Sequence, residues 1–202
     1  MKILKVKLDK LEPAAIKFTA GSLRQGQVVV LPTDTIYGLS CRADSISALK
    51  KIYRLKKRNK NKPFLILVSD LKMLKKYVSY SEPQAKELKN IWFKSLRPTT
   101  VILKNKSRLP KELVSTSQGL AVRLPKSVFL IKIIKELGRP LVSTSVNLSG
   151  EPSLTKITEV IDYFKDKKYQ PDLIVSAGRS QKKKISRLID LRDLKELKIL
   201  RK

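Results

Sequence analysis

The apolar runs of this chain are short, and that constrains its fold more than any other feature. The longest, residues 28–31 and 64–68, are the length of single β-strands. Both fall far below the roughly 18–20 residues a membrane-crossing helix needs. Around them, apolar residues recur at helical spacing. Leu11, Ala15, Phe18 and Leu23 lead to Gly26, and Ile46, Leu49, Ile52 and Leu55 follow Asp44, a residue type suited to capping that helix. Two short helices are expected over 70–78 and 81–92, the second with a serine cap and an early proline. An amphipathic helix spans 128–137 up to Gly138, and another runs to Phe164 with Thr155 as its cap. Strands are expected at 100–103, 121–124, 141–143, 173–176, 187–191 and 198–200, and residues 1–7 alternate lysine with aliphatics like an edge strand. Strands interleaved with helices predict an α/β fold, a mixed sheet sheltered by helices.

With 202 residues, 42% of them hydrophobic, the chain can bury one core. No repeat or linker divides it, so residues 1–202 are expected to form a single domain. The amino-terminal stretch has no continuous apolar segment of the signal-peptide kind, which predicts a cytoplasmic protein with no membrane partner.

There is no histidine and one cysteine, Cys41. Histidine-dependent triads, histidine general bases and zinc ligand sets are thereby excluded, and Cys41 is expected to be a small buried residue. Chemistry here has to come from positioning and charge. The net charge of +28 suits a polyanionic partner such as RNA, and it equally describes a surface that simply favours lysine.

Four segments concentrate groups able to bind anions. Pro32-Thr33-Asp34-Thr35-Ile36-Tyr37-Gly38-Leu39 follows a buried strand, where open α/β folds bind ligands, although Asp34 and Thr35 also suit a turn that caps its own backbone. The stretch from Lys56 through Arg58 to Lys62 and Pro63 is a basic loop fit for phosphates or for solvent; Arg58 offers a planar fork, Lys56 and Lys62 point charges. Ala121-Val122-Arg123-Leu124-Pro125 sets one arginine among apolar strand residues, either as a ligand for an anion or facing outward from an edge. Ser143-Thr144-Ser145-Val146-Asn147-Leu148-Ser149-Gly150 is a strand that opens into a hydroxyl-rich turn. It contains no Walker loop and no dinucleotide fingerprint, and Ser143 and Ser145 have no base to make either a hydrolase nucleophile, so anion binding is the better use.

Taken in order, these four segments resemble the motif blocks of the threonylcarbamoyl-AMP synthase family, the YrdC-like domain family, and the likeness covers nearly the whole chain. Asn59 stands where the family often has proline, and Arg97 where its Pro-Gly-Pro block has glycine. The resemblance implies a concave basic pocket on a twisted, open mixed sheet. There threonine is carboxylated on nitrogen and adenylylated by ATP, with release of pyrophosphate, for threonylcarbamoyladenosine modification of tRNA. Carried over by position, Lys56, Arg58, Lys62, Ser145, Asn147, Ser153 and Arg201 hold ATP. Thr35, Arg123, Ser143 and Ser186 hold L-threonine, Arg123 by its carboxylate. No residue is assigned to a metal, and Mg2+ is expected to accompany ATP. The likeness is to short family members without an extra carboxy-terminal domain, which implies partner proteins for the transfer step and contact with tRNA or double-stranded RNA. The competing expectation is a non-catalytic module of the same fold that binds double-stranded RNA or rRNA through its charge.

Overall fold

Side chains alternate along every strand of this protein, and that alternation divides the molecule into two faces. The computed structural model describes residues 1–59, 62–115, 118–178 and 185–201. Along the chain run β1 (Lys2–Lys5), α1 (Pro13–Arg24), β2 (Val29–Leu31), β3 (Gly38–Arg42), α2 (Ile46–Lys56) and β4 (Leu65–Leu67). There follow α3 (Leu71–Tyr77), β5 (Val78–Ser79), α4 (Glu82–Lys89), a π turn (Asn90–Lys94), β6 (Thr99–Asn105) and β7 (Gly119–Arg123). The remainder is α5 (Val128–Leu137), β8 (Leu141–Ser145), α6 (Ile157–Lys165), β9 (Leu173–Ser176), β10 (Arg187–Asp190) and β11 (Lys198–Arg201). All the strands join one mixed sheet in the order β1-β9-β2-β3-β8-β4-β7-β6-β10-β11, with β5 on the side of β6. Among the described residues no helix is long and apolar enough to cross a membrane.

Directly opposed residues of neighbouring strands point to the same side of a sheet. Gly38 lies opposite Ser145 and Ser40 opposite Ser143, Leu65 also faces Ser143, and Leu67 pairs with Arg123. On the far side of β7, Ala121 pairs with Ile102, Thr100 with Leu188, and Leu188 with Arg201. One face therefore gathers small, hydroxylic and cationic side chains. The opposite face carries Val30, Leu39, Cys41, Ile66, Val101, Val122 and Val142, buried beneath α2, α4 and α6 through residues such as Leu49, Leu88 and Val160. On the polar face, α1 and α5 cover the region of β2, β4, β8 and β9, where Ile16, Ala20 and Leu23 meet Leu130, Ile133 and Ile134 over Leu31, Leu67, Leu141 and Val175. The rest of that face is open.

α5 runs over 128–137 as its periodicity predicts, with Ser127 Oγ accepting from Leu130 N and Gly138 at φ +70° ending it in the left-handed region. Asp70 caps α3 through Met73 N at 2.7 Å, and Ser81 and Gln84 form a reciprocal capping box on α4. Cys41 is fully buried, and burial pushes its thiol well above the usual range. Two expectations need correction. Ser45, not Asp44, caps α2, accepting from Ala48 N, while Asp44 pairs with Arg42 at 2.7 Å and Arg139 at 3.6 Å. Thr155 is not the cap of α6. The Glu159 carboxylate reaches back to accept from the N–H groups of Thr155 (3.4 Å) and Lys156 (3.2 Å) instead. Strand β3 was not expected at all.

Candidate functional site

The uncovered part of the polar face is the floor of a cavity of about 260 Å³. That is slightly below the roughly 300–1,000 Å³ of pockets that enclose drug-sized ligands. It holds a small metabolite and leaves a larger one to extend over its mouth. Of the residues expected to bind ligands, Thr35, Arg58, Arg123, Ser143, Ser145, Ser186 and Arg201 line it. Lys56, Lys62, Asn147 and Ser153 do not. Lys60 and Asn61 of the basic loop lie outside the described residues.

Arg123, at the end of β7, is 3% exposed. It turns inward, which removes the outward-facing alternative. Its Nη2 meets Asp34 Oδ1 at 3.3 Å and its Nη1 donates to Thr35 Oγ1 at 3.3 Å, while its Nε is buried with no hydrogen-bond partner among the described residues. The contact with Asp34 is close enough for ion pairing but is not a directed hydrogen bond, since Asp34 Oδ1 also lacks one. Asp34 Oδ2 accepts from Lys126 N at 3.0 Å. Burial lowers the Arg123 pKa, Asp34 offsets part of that, and Arg201 lowers it further. A buried cation so loosely matched by the protein favours an added anion.

The threonines beside it form an ordered relay. Thr33 Oγ1 donates its one proton to Ile36 O at 2.6 Å, so in the 2.9 Å contact between the two hydroxyls Thr35 is the donor. Thr35 Oγ1 keeps lone pairs for Arg123. Gly38 makes room for the Ser143 hydroxyl: a Cβ on it would stand 2.8 Å from Ser143 Oγ, which would have to turn away.

Arg201 on β11 donates from Nε to Ser186 O at 2.9 Å and from Nη2 to Ser186 Oγ at 3.2 Å, and Ser186 Oγ bonds Thr100 Oγ1 at 2.9 Å. Thr100, a member of this wall, was not singled out from sequence, although it sits in the Leu96–Thr100 block where the family resemblance had pointed only to Arg97. The backbone at position 97 requires no glycine, since among the described residues the non-glycine positions at positive φ are Lys57, Ser107 and Gln118.

Arg58 reaches the cavity because Lys57, at φ 46°, ends α2 in a left-handed turn. Its guanidinium lies 4.9 Å over the Phe64 ring and donates from Nε to Lys62 O (2.9 Å) and from Nη2 to Pro63 O (3.2 Å). Lys62 thus orients Arg58 through its carbonyl while its own side chain is exposed. Phe64 is in turn fixed by Tyr53, ring centroids 4.5 Å apart.

Lys56 points the other way. It is 1% exposed, and its ammonium donates to Ser145 O (2.6 Å), Asn147 O (2.9 Å) and Asn147 Oδ1 (2.6 Å). Burial, and then the charge of Arg58, lower its pKa to about 8. Asn147 Oδ1 also accepts from Ser145 Oγ at 2.7 Å, and Asn147 Nδ2 donates to Glu151 O at 2.5 Å. Ser153 is half-buried on the following loop.

A half-covered mixed sheet whose open face joins three guanidinium groups to strand-end hydroxyls defines a binder of small anionic molecules, built to neutralise carboxylate or phosphate. The chain belongs to the Sua5/YciO/YrdC family: the family model described as "Telomere recombination" matches residues 21–202. It is 33% identical to the threonylcarbamoyl-AMP synthase of Mus musculus over 74% of this chain and 52% of the relative. It is 34% identical to that of Wigglesworthia glossinidia brevipalpis over 69% of this chain and 72% of the relative. The chain thus spans about half the length of the mouse protein. A solved structure of Pyrococcus abyssi Sua5 complexed with L-threonine superposes with a TM-score of 0.85 at 27% identity, covering 96% of this chain and 55% of that one.

Proposed function

We propose that this protein is a nucleotidyltransferase of the cytoplasm that forms threonylcarbamoyl-AMP and pyrophosphate from L-threonine, bicarbonate and ATP. The observation that carries the reading is the buried Arg123, with its unpartnered Nε, on the floor of a cavity that Arg58 and Arg201 also line. Arg123 and Thr35 suit the carboxylate of an α-amino acid, with Ser143 and Ser186 as neighbouring hydroxyls. Arg58, Ser145 and Arg201, with Lys62 and Ser153 toward the solvent, suit a triphosphate extending over the mouth. The relatives named as threonylcarbamoyl-AMP synthases and the related structure with L-threonine support this choice of substrates.

In this reaction the threonine nitrogen takes up the bicarbonate carbon with loss of water. The resulting carbamate oxygen attacks the α-phosphorus of ATP, and pyrophosphate leaves. Alignment and neutralisation of charge carry such a reaction without histidine or thiol. Magnesium, entering with ATP, would screen the phosphates. The cavity wall offers it hydroxyls and carbonyls, and Asp34 is committed to Arg123 and Lys126, so the phosphates and water are its fitting ligands. The product would pass to partner proteins that transfer the threonylcarbamoyl group to tRNA.

Pyrophosphate release is expected only when ATP, threonine and bicarbonate are all present, and Arg58→Ala should reduce it sharply. Turnover without threonine would overturn the synthase reading, and full activity of Arg58→Ala would overturn the phosphate role. The net charge of +28 favours a second reading, a module that binds double-stranded RNA. It would be supported by steeply salt-dependent RNA affinity in a protein that ATP fails to protect against heat.

A further inference from the structure

Lys56 and Asn147 belong to the two most recognisable motifs of the chain, yet neither side chain lines the cavity. We propose that they are positioning residues: a buried ammonium–amide pair that shapes the turn after β8 for the nucleotide without touching it. The proposal rests on the synthase reading for the identity of the ligand, and on geometry for the pair itself.

Lys56 grips the turn at four points. Its ammonium donates to Ser145 O, Asn147 O and Asn147 Oδ1, which uses all three of its protons. Its backbone carbonyl, at the carboxy-terminal end of α2, accepts from Ser149 N at 2.9 Å. The Asn147 amide is committed as well, Oδ1 accepting from Lys56 and Ser145 Oγ and one Nδ2 proton donated to Glu151 O. A lysine 1% exposed with its donors filled has none left for a phosphate, and reaching one would mean abandoning bonds of 2.6–2.9 Å.

The turn itself also leaves backbone donors unused. The N–H groups of Asn147, Leu148 and Gly150 have no hydrogen-bond partner among the described residues, whereas those of Ser149 and Glu151 are used inside the turn. Those of Asn147 and Leu148 are successive, and successive free N–H groups in a turn are the makings of an anion-binding concavity. Behind them sits a charge that no carboxylate neutralises, since its three acceptors are two carbonyls and an amide. The ammonium therefore acts on a bound phosphate through a fixed wall of backbone, as a preorganised field rather than a ligand.

The experiment is a double-mutant cycle read by calorimetry. ATP and L-threonine affinities are measured for the parent, Lys56→Met, Asn147→Ala and the double variant. Each single change should weaken ATP binding at least tenfold and leave threonine within about threefold. The double should be no worse than the weaker single within about threefold, because each residue works through the other. Losses that multiply, as for two independent phosphate ligands, or an unchanged ATP affinity in Lys56→Met, would overturn the proposal. Amide exchange without ligand separates the two readings. Lys56→Met should speed exchange at Ser149 N–H, and unchanged exchange there sinks the pair even if ATP binds. A parent that binds no ATP sinks the synthase reading, and the exchange result then decides for the pair. Should Lys56→Met not fold, Lys56→Arg, whose planar fork cannot fill the same three-acceptor seat, takes its place in both measurements.

Discussion

At the scale of single residues, the site works by leaving charges incompletely answered. Arg123 is the clearest case, since Asp34 and Thr35 meet its Nη atoms at 3.3 Å each and its Nε meets nothing among the described residues. Hydrogen bonds to a charged group contribute about 1.5–3 kcal/mol. Arg123→Met should therefore weaken L-threonine binding roughly ten- to a hundredfold, measured by calorimetry, while triphosphate affinity changes much less. Equal losses for both ligands would place Arg123 elsewhere in the mechanism. Lys56 supports a pH prediction whose sign follows from its lowered pKa. The folded-state value of about 8 lies below the roughly 10.4 of an unfolded lysine. Between those values the unfolded chain binds more protons, so this group's contribution to stability rises with pH across the window. Denaturant unfolding at several pH values from 7.5 to 10.5 should show the parent gaining on Lys56→Met, and a parent that loses ground across that window would contradict it. That Lys56 and Arg58 carry charge was legible in the sequence. That they point in opposite directions was not, because the cause is the backbone of the intervening residue.

At the scale of elements, that intervening residue is the end of α2. Lys57 occupies a left-handed position at φ 46°, with Lys57 N and Arg58 N bonded to Arg54 O and Tyr53 O. Glycine is the usual occupant because a Cβ in this region costs roughly 1 kcal/mol or more. Lys57→Gly should accordingly raise unfolding stability by about 0.5–1 kcal/mol in chemical denaturation, with the direction of Arg58 preserved. Destabilisation would mean that the lysine side chain, not its backbone, matters there. Elements with strong periodicity and ordinary caps, such as α5, were readable to the residue. β3 was missed because Gly-Leu-Ser-Cys-Arg carries no β-branched residue and forms only through pairing with β2 and β8. The caps at Asp44 and Thr155 failed for a related reason: both residue types cap well, but Asp44 is drawn to Arg42 and Arg139, and at α6 the longer Glu159 side chain reaches the free N–H groups. The walls of the cavity were legible as motifs, yet their assembly on one sheet face depends on strand register. Thr100 and Leu188, distant in sequence, meet Ala121 and Arg201 only through the order β7-β6-β10-β11.

At the scale of the whole molecule, 45 basic side chains against 17 acidic ones make self-repulsion a general cost of folding, and the cavity concentrates that cost where burial lowers the pKa of both Arg123 and Arg201 and the charge of Arg201 lowers that of Arg123 further. Two consequences separate experimentally. Sodium chloride screens all the charges, so raising it from about 0.05 to 0.5 M should raise the melting temperature, because the Debye length shrinks from above 10 Å to below 5 Å. Inorganic triphosphate at matched ionic strength should raise it further, since a ligand that binds only the folded state adds RT ln(1 + [L]/Kd). In Arg58→Ala the chloride response should persist, because one charge in so many barely alters the repulsion, while the additional rise from triphosphate should largely disappear. If the variant keeps that additional rise, triphosphate binds the lysine-rich surface at large rather than the cavity, and the charge of this protein is a property of its exterior rather than an extension of its site.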